Sequence, residues 1–415
     1  PDVRRRTAVW GGVSTCGNYT VSVQMPQFKE SITNAVELHV SSTQTVNIQL
    51  QLGSTTEQVT VDASAIQVQT DSAALGEVVN GEQVRELPLN GRSFVELTQL
   101  QPGVSAANNF DPKNKGLLAG VDFAVNGNAT TNNLFLVDGS NNNDVGSNRT
   151  ILIYPSIEAI GEFKMLRNAY GPEYGQASGA VVNIATRSGS NQFHGDVLYF
   201  GRNDALNATE YFAAQSEAAA RAQGTTLPND GKDRLRRNDY GFSFGGPIKR
   251  DKLFFFYSQE WNKEKRGQTR HSCVPTAAER AGDFSNPSCG EPVPTIPVSM
   301  QAPGNPHAFN SASISPAGVL VANNLPLPNL ATPLANGDNW SESLASSINW
   351  RQENARVDYN ISKSETLMFR YTQDNWENPA PNTQGLWGDD PFPALESSWS
   401  QPSKQIVGRL TSTIG

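Results

Sequence analysis

Several residues in this chain are of types that do chemistry, and their spacing decides what chemistry is open to them. Ser, His and Asp all occur, but no G-x-S-x-G elbow, H-E-x-x-H pair or phosphate-cradling G-x-x-x-x-G-K-[ST] loop is present, so no enzymatic activity is expected. The three cysteines, Cys16, Cys273 and Cys289, form no C-x-x-C, and only four histidines are scattered along the chain; no metal constellation or cofactor site is visible. Cys273 and Cys289 bracket a polar segment containing Pro and Gly. They suit either a surface disulfide in an oxidising compartment or two free thiols. The run NNNDVGSN at 141–148 is rich in oxygen donors but lacks the regular acidic spacing of a calcium loop, and reads as a polar loop. Asp138-Gly139 could touch a ligand, yet Asp-Gly is first a tight-turn signal. Arg356, Asp358 and Arg370 stand on the polar faces of alternating segments, where they either line a lumen or pair with whatever fills it.

The elements that must position these residues are bounded by composition. With 415 residues, 17% charged, a net charge of −8, 35 Gly and 25 Pro, the chain has room for two or three domains and lacks the charge of a disordered tail. The acidic balance speaks against nucleic acid as a partner. No run of about 18 apolar residues could form a transmembrane helix, and no basic, apolar leader opens the chain. It starts at Pro1 without a methionine and is read as lacking its true beginning.

Three zones follow. From Asn18 to Gly53 apolar residues alternate with polar ones at Val21, Val23 and Met25, at Val36, Leu38 and Val40, and at Val46, Ile48, Leu50 and Leu52; these are expected as three strands of a partial antiparallel β-sandwich. The second zone, from about Glu57 to Ser190, mixes strand-like pieces (VTVDA, LFLVDG, FKMLRNA, AVVNIAT) with helix-like ones (SFVELTQLQ, PSIEAIGEF) and with turns at Asn90-Gly91, Asn126-Gly127 and Asp138-Gly139. It reads as a compact α+β domain. A further helix is expected at Glu210–Gly224.

From Asn191 onward the alternation is sustained. Tyr240, Phe242 and Phe244 share one face, as do Leu253, Phe255, Tyr257 and Trp261, then Val357, Tyr359 and Ile361, then Leu367, Phe369 and Tyr371; Arg356, Asp358, Asn360, Met368, Arg370 and Thr372 take the opposite face. Such alternation fits a soluble sandwich or a transmembrane barrel equally. Connection lengths separate them. Candidate strands at about 193–202, 237–246, 253–263, 348–361, 366–376 and 403–412 are joined alternately by long polar stretches and by short links around PIKRD and SKSE. Outer-membrane barrels alternate short periplasmic turns with long extracellular loops; a sandwich has no reason to. In a barrel the aromatic face meets lipid, so arginine at Phe369 is expected to be damaging and arginine at Met368 mild.

Residues 155–190, PSIEAIGEFKMLRNAYGPEYGQASGAVVNIATRSGS, resemble the end of the plug domain of TonB-dependent outer-membrane receptors, and LFLVDGSNNN at 134–143 is similar to that family's Asp-Gly element. Finer stretches, among them LPLNGRSFVELTQLQPGV, CVPTAAERAGDFS and ISPAGVLVANNLPLPN, resemble the Oar-like subgroup. The resemblance implies a mainly β chain in three parts: residues 1–53 as a partial carboxypeptidase-regulatory-like β-sandwich, 54–190 as the α+β plug, and 191–415 as the first strands and extracellular loops of a transmembrane β-barrel. The first 17 residues do not match the start of such a regulatory-like domain. Six strands are also far short of the family's roughly twenty-two, so a fragment of a receptor is expected. The segment Glu57, Gln58, Val59, Thr60, Val61 and Asp62 lies where these receptors carry the TonB box, which a periplasmic partner binds by strand addition.

What the resemblance implies for function is energy-coupled uptake of a nutrient such as a peptide, glycan or metal chelate. The partners would be a TonB-type energy transducer, outer-membrane lipid and an unidentified extracellular ligand, with the N-terminal domain and TonB box in the periplasm. The alternative is a surface structural or adhesive protein that binds carbohydrate or protein without transport.

Overall fold

The computed structural model describes residues 17–40, 45–53, 58–62, 74–107, 120–146, 148, 150–222, 224, 232–330, 332–334, 337–362, 364–378 and 399–412. Three sheets carry the architecture, and they increase in size along the chain.

In the first, β1 (Gly17–Val23) and β2 (Glu30–Leu38) pair antiparallel, and β3 (Gln58–Asp62) adds to β2 in parallel. The strand expected over Val46–Leu52 does not join this sheet. Residues 45–51 are extended with alternating exposure, but only Leu52 bridges, to Phe28, because β1 and β3 already occupy both edges of β2. Little is buried here: among its described residues Val36, Ser31 and Thr33 are the ones fully covered.

The second sheet is mixed. It comprises β4 (Leu75–Asn80), β7 (Leu134–Val137), β8 (Ser140–Asn141), β9 (Ile160–Asn168) and β10 (Val181–Thr186), in the order β4-β9-β10-β7-β8, with β10 and β7 parallel. A small hairpin, β5 (Val104–Ala106) with β6 (Phe123–Val125), and the short helix α1 (Gly81–Glu86) pack beside it. Asn80 starts α1 with a reciprocal capping box to Gln83, satisfying two backbone donors that the first turn leaves open. SFVELTQLQ forms a buried 3-10 segment over Phe94–Leu100. PSIEAIGEF, expected as helix, turns only over Ile157–Ala159 and then enters β9, which is flanked by β4 and β10 and buried over most of its length; strand pairing overrides the local preference.

The oxygen-rich run in this unit is wiring. Asn142 Nδ2 donates to Ile153 O at 2.7 Å while its Oδ1 accepts from Ile153 N at 2.9 Å, as a strand neighbour would. Asn143 accepts from Phe135 N at 2.7 Å and donates to Asn133 O at 2.9 Å. Both asparagines are buried, and their amides satisfy backbone groups that would otherwise be stranded. Among the described residues no group of His, Cys, Asp and Glu could hold a metal ion.

The third sheet has six strands, all paired antiparallel with sequence neighbours: β11 (His194–Asn203), β12 (Leu235–Lys249), β13 (Leu253–Ser272), β16 (Trp340–Asn360), β17 (Glu365–Asn378) and β18 (Trp399–Ser412). Helix α2 (Tyr211–Ala222) lies in the link after β11. Between β13 and β16 sit α3 (Ala277–Arg280), a hairpin of β14 (Gln301–Ala302) and β15 (Asn305–Phe309), and α4 (Pro316–Asn324). The short links are 250–252 and 361–364, and both lie at one end of the sheet. β13 and β16 run well past their sequence-based limits, pairing from Leu253↔Tyr359 up to Ser272↔Trp340. Their outer halves carry polar residues on both faces, so the two-residue period that marks a strand is lost there while backbone pairing continues.

Burial along this wall follows the expected alternation. Phe256, Ser258, Glu260, Asn262 and Glu264 on β13 are buried, and Gln352, Asn354, Arg356 and Asp358 on β16 and Met368, Arg370, Thr372, Asp374 and Trp376 on β17 likewise, all toward the mixed sheet. The other face carries Tyr240, Phe242, Phe244, Phe255, Tyr257, Trp261 and Phe369, with stacked or tilted ring pairs such as Tyr240–Trp261 at 5.4 Å and Phe244–Phe255 at 5.6 Å. No described helix is long and apolar enough to cross a membrane.

Candidate functional site: where the mixed sheet meets the wall

Asp138 closes the two-residue turn between β7 and β8. It has φ 50° and Gly139 φ 81°, the left-handed pair that an Asp-Gly hairpin turn requires. The turn is also a contact. The Asp138 carboxylate accepts from Thr186 N at 2.9 Å and Thr186 Oγ1 at 2.7 Å, which fixes it to the end of β10. Arg370 Nε lies 2.8 Å from Asp138 Oδ2, and Arg356 Nη1 lies 3.4 Å from Oδ1. Arg356 also donates to Thr186 O at 2.7 Å and makes a two-pronged pair with Asp358 at 2.8 and 2.9 Å. Arg370 reaches Gln405 Oε1 at 2.7 Å, Thr372 Oγ1 at 2.6 Å and Val137 O at 3.3 Å. Two guanidiniums thus face two carboxylates, and all four residues are at most 5% exposed. Burial opposes ionisation of Asp138, but the charges of Arg356 and Arg370 and the bonds from Thr186 outweigh it, holding its carboxyl below the usual carboxylate range.

A second contact lies further along the wall. Arg92, held at φ 50° after Gly91, reaches Glu158 Oε1 at 3.1 Å and Glu260 Oε1 at 3.5 Å, and its guanidinium sits 4.3 Å above the Phe200 ring. Ser156 hydrogen-bonds the same Glu260. Tyr154 N donates to Asp374 at 2.8 Å, and Ile348, Trp350 and Trp376 of the wall join the apolar core of the mixed sheet. These groups hold two bodies together. They do so through desolvated charge and the hydrogen bonds that satisfy it.

Residues 185–415 match the outer membrane β-barrel domain family. The chain belongs to that family. Its place is therefore the outer membrane; in such barrels apolar residues face lipid and polar ones the interior. It is 31% identical over 251 residues to the TonB-dependent transporter Oar of Myxococcus xanthus, a match covering 58% of this chain and 21% of that protein. It is 26% identical over 218 residues to a probable TonB-dependent siderophore receptor, PirA, of Acinetobacter baumannii, covering 49% and 25%. Among solved structures it resembles the outer membrane transporter YddB of Escherichia coli at 11% identity and a TM-score of 0.44, over 73% of this chain and 33% of that one. The chain spans about a fifth to a quarter of the length of the curated relatives it matches. These relatives are transporters and receptors, not enzymes.

Within this barrel chain the remaining sequence-based candidates fall in separate places. Glu57 lies outside the described residues. Gln58, Val59, Thr60, Val61 and Asp62 form β3, an edge strand in parallel register with β2 from Glu30↔Gln58 to Asn34↔Asp62. Cys273 and Cys289 are joined as a disulfide at the foot of the long β13–β16 link, Cα–Cα 5.8 Å. Beside it Glu279 accepts from Thr276 and from Ser288 N at 2.8 Å, tying α3 to the bridged segment. None of these touches the Asp138 cluster. Arg92, Glu158 and Glu260 were not singled out from sequence. Glu260 was within reach, since it alternates with Tyr257 and Trp261 on a strand already recognised. Arg92 had no such signal, because only the fold brings a loop arginine to a wall 168 residues away.

Proposed function

We propose that this chain is the N-terminal part of a TonB-dependent outer-membrane receptor that takes up a nutrient ligand through a plugged barrel. In this reading residues 1–53 are a partial regulatory-like β domain, 54–190 the plug and 191–415 the first barrel strands. The observation that carries it is the Asp138–Arg356–Arg370 cluster: the mixed sheet is clamped by buried charge to one face of the six-stranded wall. A barrel that served only as an adhesive platform would have no need of a globular unit tied to its interior.

Glu57–Asp62 would supply the strand offered to the periplasmic energy transducer; among the described residues β3 has extended backbone and pairs on one edge, with β2. The ligand class, whether peptide, glycan or metal chelate, is left to experiment. The test is Val59→Pro in the intact receptor, which removes one backbone donor from the strand. Capture by the transducer's C-terminal domain should fall strongly and uptake with it. Unchanged capture would defeat the assignment of this segment, and ligand binding with no uptake, whether or not the transducer is present, would favour the adhesive alternative.

A further inference from the structure

Neither apolar cluster of the mixed sheet takes in a described residue of β1, β2 or β3. The first sheet is joined to it by polar bonds that converge on one side chain. Glu162 on β9 is buried, in register between Asn80 of β4 and Ala185 of β10. His39 Nδ1 lies 3.0 Å from its Oε1, and Val40 N donates to its Oε2 at 3.0 Å. Both residues directly follow β2, the central strand of the first sheet, which carries β1 on one edge and β3 on the other. One carboxylate thus holds the end of that strand. The His39 bond needs a proton on Nδ1, since two lone pairs would otherwise face each other.

Such a contact is built to open. Separating two apolar surfaces exposes their whole area to water, whereas hydrogen bonds to a carboxylate are exchanged for bonds to water. Glu162 also has a second basic group in place. Lys164 stands two residues further along the same face of β9 and is buried; burial disfavours its ammonium, and the charge of Glu162 opposes that shift. With His39 withdrawn, the carboxylate keeps Lys164 beside it and is not stranded. The clamp to the wall uses other side chains at the same end of the sheet: Ala185 precedes Thr186, which donates to Asp138 and accepts from Arg356.

We propose that Glu162 is a releasable dock for the N-terminal sheet. With His39 and Val40 seated, the sheet is held against the mixed sheet; with them withdrawn, it moves away as an arm that carries β3, while the Asp138 clamp keeps the mixed sheet on the wall. The docking itself is independent of transport. Its consequence, that the strand offered to the transducer is either tethered or free, rests on the reading of β3 given above.

The intact receptor in neutral detergent, with Cys16→Ser, would carry nitroxide labels on cysteines at Ser22 and Glu82, exposed positions on β1 and α1, and pulsed dipolar spectroscopy would read the distance between them. No transducer is present, so the result is separate from the fate of the β3 assignment. The otherwise unchanged receptor should give one narrow distance. Glu162→Ala should lose it for a broad distribution, and His39→Ala/Val40→Pro should do the same, since proline removes the second donor. Combining all three substitutions should add nothing. Should Glu162→Ala fail to assemble, the variant at 39 and 40 still decides, because it leaves the mixed sheet untouched. A narrow distance retained in that variant would overturn the proposal, as would a broad distribution without the substitutions. In separate unlabelled samples a cysteine at Ala159, a buried position, should stay unreactive in His39→Ala/Val40→Pro. Its exposure would mean that the mixed sheet leaves the wall together with the arm, and separate release would fall.

Discussion

The two faces of the six-stranded wall use the same alternating strands for opposite ends. Inward, large polar side chains are buried completely: Arg370 is 0% exposed, and each neighbour is chosen to satisfy it. Outward, Phe369, one residue away, is 47% exposed and has no polar task. Buried charge holds only when every partner is present, whereas an apolar surface in lipid tolerates any residue that avoids charge. The inner face is therefore specific and brittle, and the outer face generic and forgiving.

Removing the centre of the inner face should break this arrangement most. Asp138→Ala leaves Arg370 without its acid and Arg356 with Asp358 alone, and unpairing a buried charge typically costs 3–5 kcal/mol. Urea titration of the intact receptor in micelles, read by a thiol probe on a cysteine placed at Ala159, buried but outside the ion cluster, should show the mixed sheet releasing well before the wall unfolds. Release at the wild-type urea concentration would show that the apolar contacts of Trp350 and Trp376 hold the two bodies without the ions.

Acid should reach the same contact. The folded pKa of Asp138 lies below its unfolded value, so its contribution is complete above about pH 4, the ordinary aspartate range, and disappears as pH falls through the lower folded value. Thiol exposure at Ala159→Cys should be flat from pH 7 to about pH 4 and rise below it. Asp138→Asn should abolish that acid-dependent rise.

On the outer face, Phe369→Arg should cost about 2–4 kcal/mol if the position is near the midplane, because the charge would sit in hydrocarbon. Met368→Arg, expected from alternation alone to be mild, should not be. Met368 is 1% exposed and directly opposite Asp358, so a longer charged side chain must displace packed groups, at about 1–3 kcal/mol. Heat-modified mobility of the two variants measures both, and cysteines distinguish the causes: one at 369 should react with a lipid-soluble probe, one at 368 with neither lipid- nor water-soluble reagent. Lipid labelling at both positions would erase the distinction between the faces.

What was legible in the sequence follows from the same contrast. A two-residue period is local, so β11, β12, β17 and the lower halves of β13 and β16 could be placed from apolar alternation alone. Met368 misled because period two assigns a face but not the medium on that face; it was counted with the polar residues, and only the docked mixed sheet makes its surroundings dry. Only the start of β9 misled in the other direction: FKMLRNA was legible as strand, whereas the helix-like residues Ile160–Glu162 ahead of it were captured between β4 and β10. Asp138 was marked by its turn chemistry, which is local, while its partnership with Arg370 spans 232 positions and depends on the whole topology. The parallel pairing of β3 with β2 was hidden for a similar reason, as no residue type records which edge of a thin sheet a later strand will take.

The smallest test compares adjacent residues on opposite faces. Tyr371 donates to Gln373 at 2.8 Å on the outer surface, and Thr372 accepts from Arg370 at 2.6 Å and donates to Asn354 at 2.8 Å in the interior. Each side chain has a hydroxyl, so the chemistry removed by Tyr371→Phe and Thr372→Val is the same. Phenylalanine leaves Gln373 half-exposed, with other partners within reach, and the loss should be below about 0.5 kcal/mol. Valine leaves a guanidinium nitrogen and an amide oxygen buried with one bond fewer, which should cost about 1–3 kcal/mol. Unfolding midpoints of the two variants in the same micelles should therefore differ, with Thr372→Val the lower. Equal midpoints would mean that water enters the seam between the mixed sheet and the wall and satisfies Arg370 and Asn354 in place of the hydroxyl, so the inner face would tolerate loss of a partner as readily as the outer.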